Sequence, residues 1–158
     1  MLDKNIIIKF HEGALSPQFL ETTCQESFGA STSFQGTVRK YNLGRVVREL
    51  SYDLHQRMAY KALYTIAQEA LDKWEENACI EIRHSYGKLQ VGAISVIIVV
   101  YSPHRHEAFE MCRFVIEELK KRAPIWKKEI YEDGESAWVK GHALCRHSKR
   151  SSEQREDH

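Results

Sequence analysis

Apolar residues fall in two rhythms along this chain, one of period two and one of three to four. The changes between them divide it into elements. Asn5 to Phe10 reads as a first strand. "LSPQFLETTCQESFG" follows as a short helix, with Ser16 as N-cap, Pro17 at the first helical position and Gly29 just past its end. Ala30, Thr32, Phe34, Gly36 and Val38 then alternate with more polar neighbours as far as Arg39, the period of a half-buried strand. "KYNLG" turns the chain and "RVVRELSY" returns with Val46, Leu50 and Tyr52 on one face, so the two strands are expected to pair as a hairpin.

From Asp53 to about Glu76, Ala59, Leu63, Ile66, Ala70 and Trp74 recur at three and four residue steps, which predicts an amphipathic helix packed on the sheet. "CIEIRHSYG" alternates as a strand, Gly87 to Gly92 connects, and Ala93 to Tyr101, "AISVIIVVY", is the most buried strand. Ser102 is expected to cap a second helix with Pro103 at its first position. Ala108, Met111, Cys112, Val115 and Leu119 form its apolar stripe, and Pro124 stops it. "IWKKEIY" and "SAWVK" form a second hairpin around "EDGE", with Gly134 where a positive φ costs little. Beyond Gly141 the periodicity is lost, and 148–158 reads as a polar, disordered tail behind a single domain spanning 1–147. Hairpins alternating with single helices predict an α+β fold: a mainly antiparallel sheet, two longer helices packed on it and a short C-terminal hairpin.

At 158 residues there is room for one domain with a real core. The 23 Lys and Arg nearly cancel the 22 Asp and Glu, which argues against coating of nucleic acid, although local basic patches remain. The longest apolar run falls far short of the roughly 20 residues a membrane-spanning helix requires. "MLDKNIIIKF" has no long apolar core of a secretory signal, so a cytoplasmic location is expected. Cys24, Cys79, Cys112 and Cys145 are scattered, without zinc or redox spacing, and read as structural thiols.

Charge is distributed unevenly in "SPHRHEAFEMCRFVIEELKKRAPIWKKE". His104 and Arg105 open the helix where its dipole already carries partial positive charge, and cations there are disfavoured by about 0.3–1 kcal/mol each. Two explanations stand: an anion site built from free N–H groups, a guanidinium and an imidazole, or neutralisation by Glu107 and Glu110. Lys120, Lys121 and Arg122 suit a helix C-terminus. Lys127 and Lys128 point to opposite faces of a strand, and a lysine held against an aromatic wall is open to a lowered pKa and a chemical role, a solvated edge being the alternative. Arg39 is either a phosphate clamp at a strand end or a rim charge. There is no serine elbow, no phosphate-binding glycine loop and no histidine pair at metal-ligand spacing.

"FQGTVR" at Phe34 to Arg39, the block His104 to Glu129 and the following "EDGESAWV" together resemble the catalytic, large subunit of molybdopterin synthase, over about residues 5 to 140. That resemblance implies transfer of two sulfurs to cyclic pyranopterin monophosphate, forming the dithiolene of molybdopterin. Each sulfur arrives as a thiocarboxylate on the C-terminal tail of a small ubiquitin-like partner subunit, with no resident cofactor or metal and no nucleic acid or membrane involved. Lys120 and Lys127 then correspond to the family's active-site lysines, Arg39, His104 and Arg105 to its substrate-binding residues, and Phe34 to the pocket lining. Ser85, Ala93 and the region of His142 depart from the family pattern, which bears on anion affinity more than on the lysines. His104 and Lys120 are 16 residues apart, or roughly 24 Å along a continuous helix at about 1.5 Å per residue, so no small substrate touches both. A homodimer with composite sites is therefore expected, giving a heterotetramer with the small subunit. The rival readings are a non-catalytic anion-binding module and a persulfide carrier using Cys112 or Cys145; Cys112, on the apolar stripe, is poorly placed to become a thiolate.

Overall fold

The strand "CIEIRHSYGKLQ" carries the architecture. In a computed structural model describing residues 5–140, apart from 23, 135 and 137, it forms β5 (Cys79–Gln90). Its first part lies between β1 (Ile6–Glu12), which runs parallel to it, and β6 (Ile94–Ser102), which runs antiparallel. Its last four residues leave those neighbours and pair antiparallel with β4 (Arg45–Leu54). The change of partner falls at Gly87, whose φ of 79° belongs to the left-handed region and where a Cβ would sit 3.4 Å from the Glu12 side chain.

Around this strand the order is β2 (Ala30–Thr37), β6, β5, β4, β7 (Ile125–Tyr131) and β8 (Trp138–Lys140), with β3 (Tyr41–Asn42) added to β4. Helices α1 (Gln56–Lys73) and α2 (Arg105–Arg122) cover one face. Under them lie Ile6, Ile8, Ile80, Ile82, Val96, Ile98 and Val100 from the strands, with Leu63, Ile66, Met111, Val115 and Leu119 from the helices. Burying such side chains contributes about 1.5–3 kcal/mol each. The expected α+β class, helix stripes and C-terminal hairpin are as observed. Residues 141–158, holding the expected tail, His142 and Cys145, lie outside the described residues.

Three local expectations are corrected. The segment after Ser16 is a single 3-10 turn, Pro17–Phe19, and not a helix reaching Gly29. Ser16 does accept from the Gln18 N–H, but the N–H groups of Glu21 and Thr22 are taken by the buried Glu81 carboxylate at 2.7–3.1 Å and are not available to a helix. The first hairpin joins β3 to β4 through Leu43 and Gly44, both with positive φ (52° and 74°), while β2 pairs with β6. Thr32, Phe34 and Gly36 stand opposite Val100, Ile98 and Val96, so the alternation in β2 fits it to that buried strand instead. Ser102 remains the last residue of β6, opposite Ala30, and the Gly29 N–H donates to the Pro103 carbonyl. Extended backbone therefore continues two residues further, and His104 takes the N-cap position without a side-chain capping bond.

Candidate active site

Strand parity builds the site. Residues directly opposite in an antiparallel pair share a face, and β4 and β7 set Leu54 against Ile125, Tyr52 against Lys127 and Leu50 against Glu129. Ile125 is part of the core beneath the helices, so Lys127 and Glu129 lie farther along that same face. Lys128 takes the other face and lies over the Trp138 ring, 5.6 Å from its centroid. The expectation that the two lysines part is met.

Lys127 is held. Its Nζ is 2.8 Å from Glu129 Oε1, and the side chains are only 19% and 10% exposed. Glu129 Oε2 accepts from Asn42 Nδ2 at 2.6 Å and from the Tyr131 hydroxyl. Tyr131 is covered in turn by the Arg45 guanidinium, 3.7 Å from its ring centroid, which also pairs with Asp133 at 2.6 Å. Burial raises the Glu129 pKa, but Lys127, Tyr131 and Asn42 outweigh it and hold the carboxyl below its ordinary value. The same burial, together with Glu129, pushes the Tyr131 hydroxyl up.

Beside this pair Tyr52 meets His84 edge to face at 5.0 Å. His84 is 3% exposed, and its Nδ1 lies 2.7 Å from the Ser85 carbonyl. A carbonyl only accepts, so Nδ1 carries the proton and Nε2 is the lone-pair nitrogen. Burial, helped by the positive charge of Lys120 and opposed by the Ser85 carbonyl, lowers the imidazole pKa to about 4. The ring is neutral at physiological pH, and Lys120 is close enough for its charge to be felt there. Of the cations ending α2, Arg122 forks onto Glu69 of α1 at 2.6 and 3.0 Å and Lys121 is 3.8 Å from Glu118.

Phe34, partly buried opposite Ile98, packs against the core under the helices. Arg39 is exposed. It follows Val38, whose N–H donates to Ala93 and whose carbonyl accepts from Gly92, and whose side chain packs with Leu50, Leu89 and Tyr52. Of the departing positions, Ala93 thus anchors Val38 through its backbone, and Ser85 is buried with Oγ donating to the Gly13 carbonyl at 2.6 Å. His104 and Arg105 are exposed at the far end of α2. Among the described residues no ion pair ties them to Glu107 or Glu110. Glu107 Oε2 is buried without a hydrogen-bond partner there, which leaves simple neutralisation without support.

The structure sets Lys127 opposite Tyr52, which meets His84, whose imidazole feels the charge of Lys120, and it packs Val38, the residue before Arg39, on Tyr52; His104 and Arg105 lie at the other end of α2. Sequence reasoning missed Tyr52, His84, Asn42, Glu129 and Tyr131. Glu129 and Tyr131 had a readable signal, since two and four residues after Lys127 in a strand they share the lysine's face. The persulfide route fares poorly on Cys112, which is buried with its thiol pushed up to about 11.

A mainly antiparallel sheet with two helices on one face, and a lysine tethered on that face by a carboxylate, place the chain in a class of α+β enzyme subunits. More particularly, the chain belongs to the MoaE protein family, whose model matches residues 11–122. It is 45% identical over 130 residues to the molybdopterin synthase catalytic subunit of Synechococcus elongatus, covering 82% of this chain and 78% of that one. With the Bacillus subtilis protein of the same description it shares 44% over 111 residues, 70% and 69% of the two chains. Among solved structures, molybdopterin synthase from Staphylococcus aureus superposes with a TM-score of 0.74 at 38% identity, covering 85% of this chain and 95% of that one. A complex of subunits 1 and 2 of molybdopterin-converting factor from Helicobacter pylori gives 0.70 at 27%, covering 84% and 90%.

Proposed function

We propose that the chain is the catalytic subunit of a cytoplasmic molybdopterin synthase. It takes sulfur from the C-terminal thiocarboxylate of a small ubiquitin-like subunit and installs two sulfurs on cyclic pyranopterin monophosphate. The observation that carries this reading is the tethered Lys127: a cation held by Glu129 on the helix-covered face, beside a neutral His84 and the α2 end that bears Lys120. Both reactants are anionic, and charge accumulates as the thiocarboxylate sulfur adds to the pterin side chain. Preorganised cations in a partly dehydrated pocket stabilise that charge without rearranging. In this reading Lys127 positions the substrate and assists proton transfer, Lys120 meets the carbonyl end of the incoming tail, Arg39 holds the cyclic phosphate and Phe34 lines the pocket. The similar Helicobacter pylori structure, a complex of subunits 1 and 2 of molybdopterin-converting factor, supports the small-subunit partner.

His104 and Arg105 enter from a second copy, because α2 holds them at its opposite end from Lys120. The working assembly is then a homodimer carrying two small subunits. The test is a single turnover with thiocarboxylated small subunit and cyclic pyranopterin monophosphate. Wild type yields dithiolene product, and Lys120→Ala loses at least about two orders of magnitude, the scale of one removed oxyanion-type contact. No product from wild type, with the small subunit demonstrably bound, would return the chain to the class of anion-binding modules.

A further inference from the structure

Arg39 and Lys127 belong to strands that are not neighbours. In the order β2, β6, β5, β4, β7, three strands separate β2, which leads to Arg39, from β7, which carries Lys127. No ladder hydrogen bond joins the two directly. One side chain spans the interval. Tyr52 stands opposite Lys127 across β4 and β7, and it packs against the cluster of Val38, Leu50 and Leu89, in which Val38 is the residue before Arg39. Its ring meets His84 edge to face, and its partner in β5 is Gly87, which has no side chain to crowd it.

The hydroxyl of Tyr52 is fixed at the far end. It hydrogen-bonds with Ser95, and Ser95 is the residue that the β2–β6 ladder skips, since Gly36 stands opposite Val96 and Thr37 opposite Ile94. A bulge of this kind re-aims the side chain of its extra residue. Ser95 is only 4% exposed, and its Oγ donates to the Gly36 carbonyl at 3.2 Å. A carbonyl only accepts, so the Ser95 proton is committed to Gly36 and its lone pairs are left for the Tyr52 hydroxyl, which is the donor. Gly36 permits this approach because a Cβ there would lie 2.7 Å from the Val96 side chain and 3.5 Å from Ser95 Oγ. Burial, aided by the Glu129 charge and opposed by Ser95, pushes the phenol up, so it keeps its proton at physiological pH.

We propose that Tyr52 is a positioning residue that sets the span between Arg39 and Lys127, through a hydrogen-bonded line from its hydroxyl to Ser95 and the Gly36 carbonyl. This inference rests on the proposed function for what the span does: Arg39 holds the cyclic phosphate, and Lys127 works at the reacting end of the same substrate. When the line is cut each cation keeps its own contacts, so the substrate still binds. Its reacting atom is displaced, and about 1 Å of displacement costs on the order of a hundredfold in rate.

Tyr52→Phe removes the hydroxyl and retains the ring that meets His84 and Val38. Single-turnover formation of dithiolene product, with thiocarboxylated small subunit and saturating cyclic pyranopterin monophosphate, is expected to fall roughly 10- to 100-fold. The substrate concentration giving half the maximal rate stays as in wild type, the mark of an interaction that serves the transition state. Ser95→Ala gives the same split, and the double variant is no slower than either single one, because both cut one line. Hydrogen exchange, read without substrate, tests the line by itself. The N–H groups of Val38 and Gly92, which donate to the Ala93 and Val38 carbonyls, should exchange about five- to tenfold faster in Tyr52→Phe, the effect of one net hydrogen bond. Those of Leu63 and Ile66 in α1 should not change. A wild-type rate in Tyr52→Phe, a loss confined to substrate affinity, multiplied losses in the double variant or unchanged exchange at Val38 overturns the proposal, even with wild type making molybdopterin. Faster exchange at Val38 and Gly92 in the variant of a chain whose wild type makes no product keeps the line and sinks the functional reading instead.

Discussion

Replacing Glu129 by Gln keeps the shape of the side chain and removes what holds Lys127. The carboxylate serves Lys127 Nζ at 2.8 Å, Asn42 Nδ2 at 2.6 Å and the Tyr131 hydroxyl. An amide offers one acceptor oxygen to these donors and turns an N–H₂ group toward one of them. A hydrogen bond to a charged group contributes about 1.5–3 kcal/mol, and with side chains only 19% and 10% exposed little of it is lost to solvent screening. We predict a loss of about 2 kcal/mol in urea unfolding at pH 7. The pH dependence has a definite sign. The folded pKa of Glu129 lies below the ordinary 4.5, so the stabilisation is fully present above that value and disappears as pH falls through the lower folded value. The gap between wild type and Glu129→Gln should be constant from pH 6 to 8 and close in acid.

Activity should respond more steeply than stability. A displacement of about 1 Å at a reacting group costs on the order of a hundredfold in rate, and Glu129 is what fixes the position of Lys127. Single-turnover formation of dithiolene product by Glu129→Gln is expected to fall by roughly 10- to 100-fold at saturating substrate. Asn42→Ala, which removes one donor to the charged Glu129 carboxylate, should cost about 1.5–3 kcal/mol in stability. Wild-type turnover together with an unchanged unfolding midpoint in Glu129→Gln would refute the reasoning, since the Lys127 contact would then be incidental.

The buried groups elsewhere make further predictions. His84 binds a proton only near pH 4 when folded and near 6.5 when unfolded, so wild type should lose on the order of 3 kcal/mol between those pH values, and His84→Gln should lack this slope in urea titrations at pH 4.5 and 7. Glu81 is fully buried and binds Arg83, the N–H groups of Glu21 and Thr22, and the Thr22 hydroxyl. Glu81→Gln leaves Arg83 with the exposed Glu21, 3.3 Å away, as its counter-charge, and a loss of about 3 kcal/mol with faster hydrogen exchange at residues 20–22 is expected. Cys112→Ala should retain sulfur transfer, and iodoacetamide should modify exposed Cys24 before Cys112, whose thiol is pushed up to about 11. A Cys112→Ala chain without turnover would reinstate the persulfide route.

What was legible in the chain depended on whether a contact leaves a periodic trace. The stripes Ala59–Leu63–Ile66–Ala70 and Ala108–Met111–Val115–Leu119 are buried as their spacing requires. The opposed faces of Lys127 and Lys128 follow from strand parity alone. The partner of β2 left no such trace, because alternation specifies a half-buried strand without naming its neighbour, and the tight Leu43–Gly44 turn serves a two-residue β3. The helix expected after Ser16 failed for a tertiary reason. Its local signals are sound, but Glu81, about 60 residues away, takes the N–H groups of residues 21 and 22. Likewise Tyr52, His84 and Asn42 join the site through register across four strands, which no local window contains.

The spacing of Lys120 and Lys127 follows from how α2 ends. Leu119 and Ala123 are buried on the last turn, and the Ala123 N–H still donates to the Leu119 carbonyl at 3.0 Å. Pro124 lacks an N–H and cannot extend the helix, and Ile125, only 6% exposed, returns the chain to the core as the first residue of β7. With Ala123 and Ile125 both buried, neither the phase of the helix nor that of the strand is free to slip. Helical phase then brings the charge of Lys120 within reach of His84, and strand parity carries Lys127 back under the helices to Glu129. Lys128, one residue farther, is sent to the opposite face and to Trp138. The run of cations that looks like one basic patch in sequence is thereby divided by backbone geometry into a lysine held by Glu129, an arginine that joins α2 to α1, and one lysine whose charge reaches His84.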